Sequence, residues 1–168
     1  MKFFLTAIYR RLLNNVRNSS TLEIYTDGSS KGGVGSWAYV ISQNGKCIVE
    51  NSGRIRRANS NSMEFQAAIE ALSFVPENSN VTLFSDSRIL VNAMKYGEPL
   101  SAHQPQIDTL MGFNDKHTIK WQWVKAHNGN KLNERCDELC TLARNSRPIE
   151  TSAKNTLLKK EQFSVSLT

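Results

Sequence analysis

Leu22-Glu23-Ile24-Tyr25-Thr26-Asp27-Gly28-Ser29-Ser30 is the stretch on which the rest of the chain turns. Leu22, Ile24 and Thr26 alternate with Glu23, Tyr25 and Asp27 at the two-residue period of a strand, and the run ends on an acid. The glycine-rich residues Gly28–Gly35 that follow predict a loop. A second strand, Trp37–Ser42, is expected to meet a third, Lys46–Val49, through Asn44-Gly45, a pair suited to the positive φ angles of a tight hairpin. The third strand is expected to reach Arg56 past a bend at Gly53. Three antiparallel strands therefore open the fold.

The pattern then changes period. Asn61-Ser62-Met63-Glu64 resembles a capping box, and Met63, Ala67, Ala68, Ala71, Leu72 and Val75 recur at helical spacing until Pro76 stops them. Val81–Ser85 reads as a short apolar strand and Ser87–Lys95 as a helix broken by Gly97-Glu98-Pro99. A weaker helix over Gln104–Phe113 precedes a strand at Thr118–Val124, on which Ile119, Trp121 and Trp123 are expected to share a core face. Ala126–Lys131 is a loop, and Asn133 can cap a last helix ending near Asn145. This order implies an α/β fold, a five-stranded mixed sheet of three antiparallel and then two parallel strands with helices on both faces.

On that topology Asp27 ends the first strand and Asp86 ends the fourth, the two strands being parallel neighbours, while Glu64 and Asp137 lie in the first turns of the first and last helices. The crevice beyond the carboxyl ends of adjacent parallel strands is where open α/β sheets bind ligands. Each acid alone has a plainer role: Asp27 as a turn former, Glu64 as the capping-box acid, Asp86 as a helix cap, Asp137 as a solvated helix residue. Together, four converging carboxylates would repel and raise one another's pKa unless divalent cations neutralise them. Oxygen ligands suit Mg²⁺ or Mn²⁺ rather than zinc.

At 168 residues, with 39% hydrophobic and 21% charged, the chain has the size and composition of one globular domain, and no apolar run approaches a membrane span. Cys47, Cys136 and Cys140 read as thiols, in keeping with a cytoplasmic location; Cys136 and Cys140 lack the further ligands of a zinc site and are read as helix packing. The net charge of +6 is carried by the ends. Residues 1–21 hold Lys2, Arg10, Arg11 and Arg17 and no acid; from Arg144 onward five bases face Glu150 and Glu161. The expected organisation is a basic extension over 1–21, a domain over 22–145 and a basic tail over 146–168. The extension carries no secretory cleavage pattern; a solvated, partly helical segment is the preferred reading, with organelle targeting by residues 1–20 or a nucleic-acid-gripping arm left open.

The segments Tyr25-Thr26-Asp27-Gly28-Ser29, Ser62-Met63-Glu64, Ser85-Asp86-Ser87 and Trp121 to Gly129, followed by Asn133-Glu134-Arg135-Cys136-Asp137, resemble type 1 ribonuclease H in order and spacing. The resemblance implies the ribonuclease H-like fold and endonucleolytic hydrolysis of the RNA strand of RNA–DNA hybrids by two metal ions, Mg²⁺ with Mn²⁺ as a possible substitute, leaving 5′-phosphate and 3′-hydroxyl ends. It implies that Asp27 bridges both ions, that Glu64 and Asp86 help hold the ion on the attacking-water side, and that Asp137 completes the other site. Two ions about 3.5–4 Å apart stabilise the attacking and leaving oxygens of an in-line displacement. His127 corresponds to the family's histidine that assists water activation or product departure; outside this motif a lone loop histidine is an ordinary surface residue. A monomer is the family's expectation.

For substrate, the resemblance implies Gly28, Ser29, Asn59, Ser60, Asn61 and Asn133, with Ser60 standing where many relatives have asparagine. Arg54 and Arg56 share a strand face and could meet phosphate or simply be solvated. Between Asp86 and Trp121 the chain lacks the extra basic, Trp-bearing helix that many bacterial relatives insert, and the basic ends are expected to replace it electrostatically. Ala126 stands where glycine commonly precedes the histidine. The competing readings are a same-fold DNA nuclease or resolvase, and a non-catalytic hybrid-binding module.

Overall fold

The computed structural model describes residues 21–146, so the expectations for the basic extension and most of the tail lie outside the described residues. Five strands form one sheet: β1 (Leu22–Lys31), β2 (Val34–Gln43), β3 (Lys46–Arg56), β4 (Asn80–Ser85) and β5 (Thr118–Trp123), in the order β3-β2-β1-β4-β5. β3 and β1 flank β2 antiparallel, and β4 and β5 continue the sheet parallel, the mixed topology expected. Four α-helices cover it: α1 (Ser60–Phe74), α2 (Arg88–Tyr96), α3 (Gln104–Met111) and α4 (Lys131–Asn145).

The central strands are buried on both faces, as parallel connections demand. Leu22, Ile24, Tyr39, Ile41, Val81 and Leu83 meet Phe65, Ala68, Leu72 and Leu90 on the α1–α2–α3 side. Tyr25, Ala38 and Val40 meet Cys136, Leu139 and Cys140 of α4 on the other. α4 is tied across the sheet by Arg135, whose guanidinium donates to both carboxylate oxygens of Glu50 on β3, at 2.9 and 2.7 Å.

Several boundaries differ from the expectation for physical reasons. The Gly28–Gly35 stretch is not a loop: β1 runs to Lys31 and pairs with β2 up to Val34, leaving only Gly32 and Gly33, both at positive φ, as the turn. Gly28 is needed for proximity, because a Cβ there would lie 2.1 Å from the Glu64 nitrogen in the first turns of α1. β3 reaches Arg56 as expected, with no break in its pairing at Gly53. Gly53 stands opposite Trp37, whose ring a Cβ would meet at 2.5 Å. α1 is capped by Asn59, whose side chain accepts from Ser62 N–H at 2.8 Å, so the box at Asn61 is displaced by two residues. α4 is likewise capped by Asn130 instead of Asn133. The α3 segment ends at Met111 and continues as a short 3₁₀ turn, Gly112–Asp115. No basic helix is inserted between α2 and β5.

Candidate active site

Pairing of Thr26 with Ser85 sets β1 and β4 in parallel register, so the next residues, Asp27 and Asp86, emerge side by side. The close approach at Gly28 brings the start of α1 against the same point and delivers Glu64. One carboxylate oxygen each from Asp27, Glu64 and Asp86 falls within 4.8 Å of the others. Glu64 is therefore no capping acid, Asp27 no turn former, and the α2 cap is Ser87, which accepts from Leu90 N–H.

The electrostatics of this cluster are those of a cation site without its counter-charge. Asp27 and Glu64 are each only 8% exposed. Burial, then the charges of Asp86 and Asp137, push the Asp27 carboxyl up to about 6. Glu64 is raised further by burial and by Asp27 and Asp86. Asp27 Oδ2 and Glu64 Oε2 are buried with no hydrogen-bond donor. Buried oxygens so left cost free energy that a hard divalent cation recovers, and a donor set made only of oxygens fits such an ion.

The fourth acid stands apart. Asp137 is exposed on α4 and outside the three-carboxylate cluster, although its charge reaches Asp27. Asn133, one turn earlier, is buried and donates from Nδ2 to Asp86 Oδ2 at 3.1 Å, so it orients a carboxylate of the cluster, while its own Oδ1 has no partner. His127 is exposed on the turn after β5 with a left-handed backbone (φ 49°) and makes no hydrogen bond to the acids among the described residues.

Other expected contacts are redistributed. Ser60 Oγ accepts from Ser30 N–H at 3.0 Å, joining the α1 N-terminus to β1. Asn61 is exposed beside it. Arg54 donates to the Ser146 carbonyl at the end of α4, whereas Arg56 is exposed. Trp121 is buried core, but Trp123 is 37% exposed. At the end of an edge strand it leaves the helices' cover, donates Nε1–H to the Asp86 carbonyl at 3.0 Å and carries the Arg88 guanidinium 4.1 Å over its ring. Cys140 escaped the sequence reading as a site residue: its thiol donates to the Asp27 carbonyl at 3.3 Å. The spacing Asn133, Asp137, Cys140, Arg144 on one helical stripe was the available signal.

With this geometry in view, a family model described as RNase H matches residues 19–145. A ribonuclease HI of Synechocystis is 38% identical over 147 residues, covering 78% of this chain and 91% of its own. A ribonuclease H of Geotalea uraniireducens is 36% identical, covering 73% and 92%. Among solved structures, the N-terminal RNase H domain of a Mycobacterium tuberculosis protein superposes with TM-score 0.65 at 20% identity, covering 75% of this chain and 94% of that one. LC11-RNase H1 in complex with an RNA/DNA hybrid superposes at 0.64 and 22%, covering 74% and 96%. The family match takes in every strand and helix that positions the carboxylates, and relatives more than a third identical align over nine-tenths of their own length; the chain belongs to the ribonuclease H family and is a ribonuclease H hydrolase.

Proposed function

We propose that the protein is an endonuclease that hydrolyses the RNA strand of RNA–DNA hybrids with two divalent cations, Mg²⁺ or in its place Mn²⁺, leaving 5′-phosphate and 3′-hydroxyl ends and acting as a monomer. The observation that carries the reading is the cluster of Asp27, Glu64 and Asp86, with buried oxygens on the first two that no donor satisfies. Bound among these groups, the cations would neutralise the charge that develops on the attacking and leaving oxygens of an in-line displacement at phosphorus.

The chain's own contribution is preorganisation. Asp27, at the β1–β4 junction, holds the centre of the cluster; Glu64 is pressed in by the Gly28 contact; Asp86 is fixed from α4 by Asn133 and through its own carbonyl by Trp123. Asp137 supplies the fourth carboxylate and His127 the imidazole that assists water activation or product departure. Gly28, Ser29, Asn59, Ser60, Asn61 and Asn133 lie on or beside the elements that carry the acids, where contacts to 2′-hydroxyls and phosphates are expected.

The test is cleavage of labelled RNA–DNA hybrid, double-stranded RNA and double-stranded DNA, each with Mg²⁺ or with EDTA. The expected result is Mg²⁺-dependent cutting confined to the RNA of the hybrid, with Asp27→Asn and Asp86→Asn each at least about 10³-fold slower and still folded by circular dichroism. Cutting of DNA instead would favour the nuclease or resolvase reading, and unimpaired cutting by either variant would remove the carboxylates from the mechanism.

A further inference from the structure

Two residues beyond Asp27 on β1, Ser29 is paired with Ser36 of β2, and Ser36 with Arg54 of β3. The three residues form one row across the sheet, two residues further along β1 than Asp27 and on the same face. The Ser29 and Ser36 hydroxyls lie 3.1 Å apart. Over them sits Arg144, whose Nη1 donates to Ser29 Oγ and, at 3.4 Å, to Ser36 Oγ, while Nη2 donates to Thr141 Oγ1 at 3.3 Å. Neither Arg144 nor Arg54 has a carboxylate within ion-pairing distance among the described residues. A guanidinium carries five donors, and those of Arg54 and Arg144 are only partly used.

Two half-buried guanidinium groups, Arg144 over neutral hydroxyls and Arg54 on a carbonyl, are costly unless an anion visits. Position names the anion. Arg144 lies on the stripe of α4 that carries Asn133 and Asp137, about 10 Å further along the helix than Asp137, and Ser29 is about 7 Å along β1 from Asp27. At ~3.4 Å of helix axis per nucleotide of a strand, these offsets equal two or three steps.

We propose that Arg144, braced on the Ser29–Ser36 hydroxyl pair and with Arg54 in the neighbouring row position, binds a backbone phosphate of the substrate two or three nucleotides from the bond that is cut. The assignment rests on the hybrid-nuclease reading for the identity of the strand. The guanidinium N–H groups of Arg144 that the two serines and Thr141 leave unused match a phosphodiester's oxygens, and a phosphate held there fixes which bond lies at the carboxylates.

Anisotropy of a short labelled RNA–DNA hybrid, titrated with the full chain in EDTA over a series of salt concentrations, tests it. For Arg144→Gln the expected result is a three- to tenfold weaker Kd and a log–log salt slope smaller by about one, with Arg144→Lys restoring the slope. Hybrids carrying one neutral methylphosphonate, moved along each strand, should reveal one position at which the loss and that of Arg144→Gln are not additive. An unchanged slope, additive losses at every position, or a reduced slope that Arg144→Lys leaves reduced would overturn the assignment, the last by making Arg144 a structural tie between α4 and the sheet. A wild-type chain that binds as expected but cuts no hybrid would instead defeat the functional reading and leave the phosphate contact standing.

Discussion

Asp27 shows how one residue's surroundings state its use. Its carboxyl is pushed up to about 6 chiefly by burial, and Glu64 beside it is raised as well. For an acid whose folded pKa exceeds its unfolded value, the folded chain binds more protons than the unfolded one between the two values, so stability falls as pH rises through that window. The metal-free protein is therefore expected to lose stability from about pH 4 up through about pH 6, by at most about 3 kcal/mol from Asp27 alone. Thermal melts in EDTA check this, with Asp27→Asn flattening the profile. Added Mg²⁺ should raise Tm more at about pH 7.5 than at about pH 5, because the cation competes with the protons for the same oxygens. An equal rise at both pH values would mean that the ion binds elsewhere. Asp27, Glu64 and Asp86 were legible in the sequence because strand alternation and helical spacing set the strands of Asp27 and Asp86 side by side with the helix of Glu64 against them, although Asp27 lies within β1 and not at its end. Cys140 and Arg144 were not, since their partners Asp27 and Ser29 are more than a hundred residues away.

At the scale of elements, the contact between β1 and α1 at Gly28 sets the depth of Glu64 in the cluster. Gly28→Ala puts a methyl group into the α1 backbone, so it is expected to cost about 3 kcal/mol or more in urea unfolding and to weaken Mg²⁺ binding, measured by calorimetry. Asn59→Ala, which removes the α1 cap, should cost about 1 kcal/mol with a smaller effect on the ion. If both substitutions shift ion affinity equally, the close approach has no special role. The strands and helices themselves were readable from periodicity, but their ends were not. Glycine reads as a turn in sequence, yet Gly28 and Gly53 are glycine because Glu64 and Trp37 lie against them. Asn59, Ser60, Asn61 and Ser62 are all able caps, so only the three-dimensional entry of the chain selects one. Trp123 shares its alternation with Trp121, and no local pattern reveals that the helices' cover stops between them.

For the whole molecule, charge is the property that sequence stated and the described residues do not hold. Lys2, Arg10, Arg11 and Arg17 lie before residue 21, and Lys154, Lys159 and Lys160 after residue 146, while the domain between has no inserted basic helix. Removing 1–20 and 148–168 is expected to lower the salt slope of hybrid binding by about two or more while leaving the melting temperature of the domain nearly unchanged; an unaltered slope would assign the electrostatics to the domain itself. The order in which the fold is laid down has its own cost. Lys131–Asn145, made after all five strands, closes the face of strands made first, so a nascent chain halted before it leaves Tyr25, Ala38 and Val40 bare. Such a fragment would tend to stick to its fellows and would lack Asp137, Asn133 and Arg144, so an interrupted chain becomes a task for chaperones rather than a weaker hydrolase.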